Sequence, residues 1–111
     1  MIRSTRILVN LNSTYTINES TYGCEIIDIS FEGLKIRTRQ ILEVEDLLKI
    51  SLTIEGKNVV FFCRIRNKGD NEGEYGLRIE ELHPEDKAAY EDYMLRFFIN
   101  SKTPPTEHVI L

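Results

Sequence analysis

Asp28-Ile29-Ser30-Phe31-Glu32-Gly33 sets a carboxylate, a hydroxyl and a glycine at a junction between two runs of alternating hydrophobicity. In an extended segment residues two apart share a face, so Asp28 and Ser30 point together and Ile27 and Ile29 point the other way. The expectation is a core face and a polar reading face. Asp28 offers two acceptor oxygens, Ser30 a donor and an acceptor, and Gly33 a backbone that can turn or let a flat ligand approach without meeting a Cβ. Such groups suit the edge of a purine. The same residues are also ordinary turn chemistry, since Asp and Ser cap local N–H groups and Gly takes positive φ.

The remaining polar residues do not assemble a catalytic set. Nucleophilic catalysis needs a base beside a serine or cysteine, and His83 and His108 lie far along the chain from Ser30. Glu43, Glu45 and Asp46 read as a solvated turn. Neither a phosphate-cradling glycine loop nor metal-ligand spacing is present, and Cys24 and Cys63 read as buried thiols. The expectation is a binder and not an enzyme, without metal or cofactor. Lys35, Arg37 and Arg39 follow the Asp28–Gly33 segment on alternate positions and would give an acidic chain a local positive patch. Arg64, Arg66 and Arg78 read as solvating residues, and Phe31 either as a surface for a bound base or as a plug beneath the loop.

These residues must be positioned by strands. Ile7, Val9 and Leu11 alternate within residues 6–17, and Asn18 to Ser20 turns the chain into residues 21–29. Residues 33–39 carry Leu34 and Ile36 on one side and the three cations on the other. Leu48, Ile50, Leu52 and Ile54 alternate up to the turn Glu55-Gly56-Lys57-Asn58, and Val59, Phe61, Cys63 and Ile65 alternate beyond it. Residues 68–73 are a polar loop, and Tyr75, Leu77 and Ile79 mark a sixth strand. The period then becomes helical. Pro84 suits a first helical position, Glu85 and Asp86 the positive end of the dipole, and Ala88, Ala89, Tyr90, Tyr93, Met94, Phe97 and Phe98 recur three and four apart. The helix is expected to cover one open end of a small closed barrel, a form that removes sheet edges. Ser101 to Thr106, with two prolines, cannot continue it.

A chain of 111 residues with 41% hydrophobic and 29% charged residues suits one domain with a single core. We expect it over residues 1–100, with a loose tail over 101–111. The chain has no apolar run of membrane-spanning length and no signal-peptide pattern. Cytoplasmic localisation is expected, without membrane insertion. A net charge of −4 argues against a DNA- or RNA-binding surface.

The order of parts and the motifs converge. Arg3-Ser4-Thr5-Arg6 before the first strand, Asp28-x-Ser30-x-x-Gly33 after the second, and Tyr75-Gly76-Leu77-Arg78-Ile79 in the sixth resemble the PilZ domain, the bacterial receptor module for cyclic di-GMP. The resemblance runs over nearly the whole chain and implies a six-stranded antiparallel β-barrel with a C-terminal helix. It further implies that an Arg-x-x-x-Arg arm wraps over the ligand while the Asp-x-Ser-x-x-Gly motif holds it on the barrel exterior. By that resemblance Arg6 is the second arginine of the arm, and Asp28, Ser30 and Gly33 match the other motif in full. Arg3 stands three residues before Arg6, one step short of the family spacing, with Ile2 in the expected place. The expected ligand-binding residues are Arg3, Arg6, Asp28, Ser30, Gly33 and Lys35.

Two functions follow from the resemblance. One is a cyclic di-GMP receptor whose ligand orders the N-terminal arm and passes that change to a partner protein or neighbouring domain in motility, biofilm or exopolysaccharide control. The other is a ligand-independent adaptor that engages motility, pilus or polysaccharide-export machinery through its barrel or helix surface.

Overall fold

Two-residue turns set the hairpins. Asn18 and Glu19 take φ of 51° and 69°, and Glu55 and Gly56 take 51° and 84°. Positive φ at both central residues gives a turn whose twist matches that of the strands it joins. The first turn pairs Ile17 with Ser20, joining β1 (Ile7–Ile17) to β2 (Ser20–Ile29). The second pairs Ile54 with Lys57, joining β4 (Leu47–Ile54) to β5 (Lys57–Lys68). With β3 (Gly33–Arg37) and β6 (Glu74–Leu82), the strands close an antiparallel barrel in the order β1-β2-β3-β6-β5-β4, and β4 returns to β1. The structure, a computed structural model, describes residues 6–100, and side chains up to residue 96. Phe97, Phe98 and the tail expected over 101–111 therefore lie outside the described side chains or residues.

Inward alternation fills the barrel. Leu34 and Ile36 of β3, Leu48, Ile50, Leu52 and Ile54 of β4, and Val59, Phe61, Cys63 and Ile65 of β5 are all buried, as their spacing predicts. In β2 the simple period fails. Ile26 pairs with Ile36 but Asp28 pairs with Lys35, so Ile27 is an extra residue, a β-bulge. The bulge turns Ile26 and Ile29 inward, both wholly buried, and leaves Ile27 half-buried. The expected pairing of Ile27 with Ile29 on the core face is thus corrected.

The two barrel ends are closed differently. Residues 38–46 cross one end from β3 to β4, burying Leu42, whose N–H donates to the Tyr75 hydroxyl at 3.0 Å. Helix α1 (Pro84–Asn100) covers the other. His83 caps its start, with Nδ1 accepting the Glu85 N–H at 3.3 Å and its carbonyl accepting the Lys87 N–H at 2.9 Å. Tyr90 and Met94 are buried, and the Tyr90 ring meets Phe61 edge-on with centroids 4.9 Å apart. The expected fold, a six-stranded antiparallel barrel with a helix at one end, is the fold observed.

Candidate functional site

Where β2 ends, the backbone folds into a turn held by Ser30. The Ser30 N–H donates to the Gly33 carbonyl at 2.9 Å, while its Oγ accepts the Gly33 N–H at 3.0 Å and the Glu32 N–H at 3.3 Å. A hydroxyl so committed shapes the loop around itself. The Glu32 carbonyl accepts the Ile79 N–H at 2.9 Å, which ties the turn to β6. From the helix, the Tyr90 hydroxyl donates to the Ser30 carbonyl at 2.6 Å. Gly33 is required by close approach and not by a positive φ: a Cβ there would sit against the Leu77 carbonyl oxygen, far inside van der Waals contact.

Asp28 is positioned by the bulge one residue before it, opposite Lys35 on β3 and Leu8 on β1. Its Oδ1 accepts from Arg6 Nε at 2.7 Å and lies 2.6 Å from Nη2. The Asp28 side chain is 8% exposed and that of Arg6 42%, so the carboxylate is the sunken anchor and the guanidinium the accessible end. A forked, charge-assisted contact of this kind fixes direction as well as position. Asp28 and Ser30 therefore do not form the solvent-facing polar surface expected from strand alternation. Both are buried, one beneath an arginine and the other within its own turn.

Arg6, Ser30, Gly33 and Lys35 line one cleft of about 1060 Å³, running over the outside of β3 and β6 toward the start of α1. Its size lies at the upper end of small-molecule sites, which span about 300 to 1,000 Å³. Phe31 also lines it while packing partly on the core, as one of its two expected roles requires. Arg3 lies outside the described residues. The three cations after the turn do not act as one patch. Arg37 is held by Glu25 at 2.8 Å and Glu74 at 2.9 Å, and with Arg39 it borders a separate cleft toward the other barrel end. Only Lys35 of the three reaches the main cleft. Sequence reading missed Arg66, Arg78, Lys87 and Tyr90, which also line it. The sequence signal for Arg78 was its place in the Tyr-Gly-Leu-Arg-Ile run, whereas the helix residues come from an element fifty positions away.

The cleft holds no metal-binding set: among the described residues no three His, Cys, Asp or Glu side chains are grouped to hold an ion. Both cysteines are free, and burial pushes the thiol of Cys24 up to about 11 and that of Cys63 up to about 12. Both are therefore protonated at neutral pH and poor nucleophiles.

Comparison with known families brings these features together. The family model described as "PilZ domain" matches residues 2–96. The chain belongs to the PilZ domain family. Comparison with curated proteins gave no match. Among solved structures, the PilZ domain of CeSA from a cellulose-synthesizing bacterium superposes with a TM-score of 0.67 at 13% identity, covering 85% of this chain and 98% of that one. The Bacillus subtilis inhibitor of motility, MotI/DgrA, superposes with a TM-score of 0.74 at 15% identity, covering 88% of this chain and 51% of that one. This PilZ chain thus spans about half the length of MotI/DgrA. At these identities the likeness to both structures is one of fold. PilZ domains are in general binding modules for cyclic di-GMP and not enzymes. Among the described residues no helix is long and apolar enough to cross a membrane.

Proposed function

We propose that this PilZ domain is a cyclic di-GMP receptor that passes occupancy of its cleft to a partner protein or a neighbouring domain. One observation carries the reading: Arg6, aimed by a nearly buried Asp28, stands at a cleft whose wall includes the Ser30–Gly33 turn and Lys35. The guanidinium offers donors suited to a phosphate or to the acceptor edge of guanine, and its plane can stack on a base. Asp28 supplies its orientation, and Ser30 and Gly33 supply a turn that lies close against β6. Lys35 adds positive charge beside them. Motility, biofilm or exopolysaccharide control in the cytoplasm is the setting we propose, consistent with the name of MotI/DgrA as a motility inhibitor.

One observation favours a second reading, a ligand-independent adaptor. The Asp28 carboxylate is already met by Arg6 and the Ser30 hydroxyl by its own loop, so these motif groups are satisfied without a ligand. Calorimetric titration with cyclic di-GMP separates the two. The receptor reading expects saturable binding in the wild type and its loss in both Arg6→Ala and Asp28→Ala. No heat in the wild type, together with no amide chemical-shift change near Ser30 at high ligand, would leave the adaptor.

A further inference from the structure

A second cleft, of about 920 Å³, lies toward the barrel end that residues 38–46 cross, away from the Ser30–Gly33 turn. There β2 overhangs β3: Glu25 is its first residue to pair with β3, and Ser20 to Cys24 pair with β1 alone. Gly23 stands within that overhang, exposed and lining the cleft. Nothing in the chain's own packing asks for a glycine here. Its φ lies outside the left-handed region and a Cβ added to it would meet no heavy atom within 4 Å, whereas every other glycine has a positive φ or an atom within 3.0 Å of that point. A glycine inside a strand weakens it, and its usual reason is the close approach of another backbone or a ligand. Among the described residues nothing approaches, so the body that needs this space comes from outside them. The same cleft carries the parts that complement such a gap. Ile41 lines it and, at 84%, is the most exposed large apolar side chain among the described residues. Arg39 and Glu72 line it too, both exposed, and among the described residues neither makes an ion pair or a side-chain hydrogen bond. The other two charges of the cleft, Arg37 and Glu25, hold each other at 2.8 Å. One patch therefore has an apolar projection with a gap to receive it, and a cation with an anion. A surface that complements itself fits a second copy of itself across a twofold axis, where each contact is made twice.

We propose that this face is the interface of a homodimer, in which Ile41 of each copy packs over Gly23 of the other and Arg39 of each pairs with Glu72 of the other. The proposal does not rest on the receptor reading. Both copies keep the Arg6 cleft open, because it lies away from this face.

The test is sedimentation equilibrium of the full chain without ligand, over about 10 μM to 1 mM, the range in which a small interface associates. The wild type is expected to pass from monomer to dimer within it. Gly23→Val fills the gap and should weaken the dimer by about tenfold or more. In dilute solution the same variant should melt no lower than the wild type, since valine suits a strand and its side chain enters open space. Arg39→Glu and Glu72→Arg each set like charges opposite one another twice, and each should weaken association by about 10- to 100-fold. The double variant Arg39→Glu/Glu72→Arg exchanges the two charges and should associate as the wild type does. A wild type that stays monomeric throughout, or that grows beyond a dimer, would overturn the proposal. So would a Gly23→Val dimer of unchanged affinity, or a double variant no better than the single ones. A Gly23→Val chain that melts below the wild type would assign the glycine to the fold of one chain and overturn it as well.

Discussion

Tyr90 joins the two halves of the site at a single atom. Its hydroxyl is buried, donates to the Ser30 carbonyl at 2.6 Å, and is pushed far above its ordinary pKa by burial, so it stays protonated and stays a donor. Its ring packs on Phe61, so the residue has separable parts, a polar tip on the turn and an aromatic body in the core. Removing the tip alone leaves the Ser30 carbonyl without this donor. Tyr90→Phe is expected to cost about 1 to 3 kcal/mol in chemical denaturation, the usual consequence of orphaning a buried polar group. Tyr90→Ala, which also empties the ring's space, should cost about 3 to 5 kcal/mol. Phe at this position with wild-type stability would mean that the turn is held by its own internal bonds and not by the helix.

Strand pairing, one level up, determines which charges are available. On β3 and β6, Arg37 and Glu74 stand directly opposite, and Arg37 also reaches Glu25 on β2. Arg37, followed by Asn71, holds the Glu74 carboxyl below its ordinary value. A carboxyl with a lower pKa in the folded state than in the unfolded state contributes stability above the unfolded value, about 4.3, and loses it as pH falls through the folded value. Glu74→Gln should therefore melt below the wild type at neutral pH, and the gap should close on acidification through about pH 4 and below. Melting curves across that range check it, and a gap constant with pH would remove the carboxylate from the account. The same pairing explains why Arg37 belongs to the wall and not to the ligand cleft.

At the scale of the whole molecule, closure of β1 onto β4 leaves the six-stranded barrel without a free sheet edge, and the covered ends leave the outer wall of β3 and β6 for binding. The chain carries a net charge of −4, and along the cleft Arg6, Lys35, Arg66, Arg78 and Lys87 stand among Glu32, Glu80, Glu81 and Glu91. An anionic ligand is therefore met by individual cations against the overall charge and not by a uniformly positive surface. Binding of cyclic di-GMP should weaken as salt rises from about 0.05 to 0.5 M, where the Debye length falls from roughly 14 to 4 Å. Titrations at several ionic strengths measure this. An affinity independent of salt would place the binding energy in stacking and hydrogen bonding.

Local periodicity determined the strands, the helix and the closed-barrel class, because each element carries its own inward stripe: Leu48, Ile50, Leu52 and Ile54 announce β4 without reference to any partner. The Asp28, Ser30 and Gly33 motif was legible for a similar reason, its members lying on one short segment. What the sequence alone could not reveal depends on pairing between distant segments. The bulge at Ile27 exists only relative to β3, and it decides that Ile26 and Ile29 face inward while Asp28 receives Arg6. The Ser30 carbonyl takes a donor from a tyrosine sixty residues later. That Arg37 is committed follows from which carboxylates the closed sheet brings within reach, Glu25 from β2 and Glu74 from β6. Residue type and spacing name the parts, but the availability of a charge is a property of its neighbours, and neighbours are chosen by the fold.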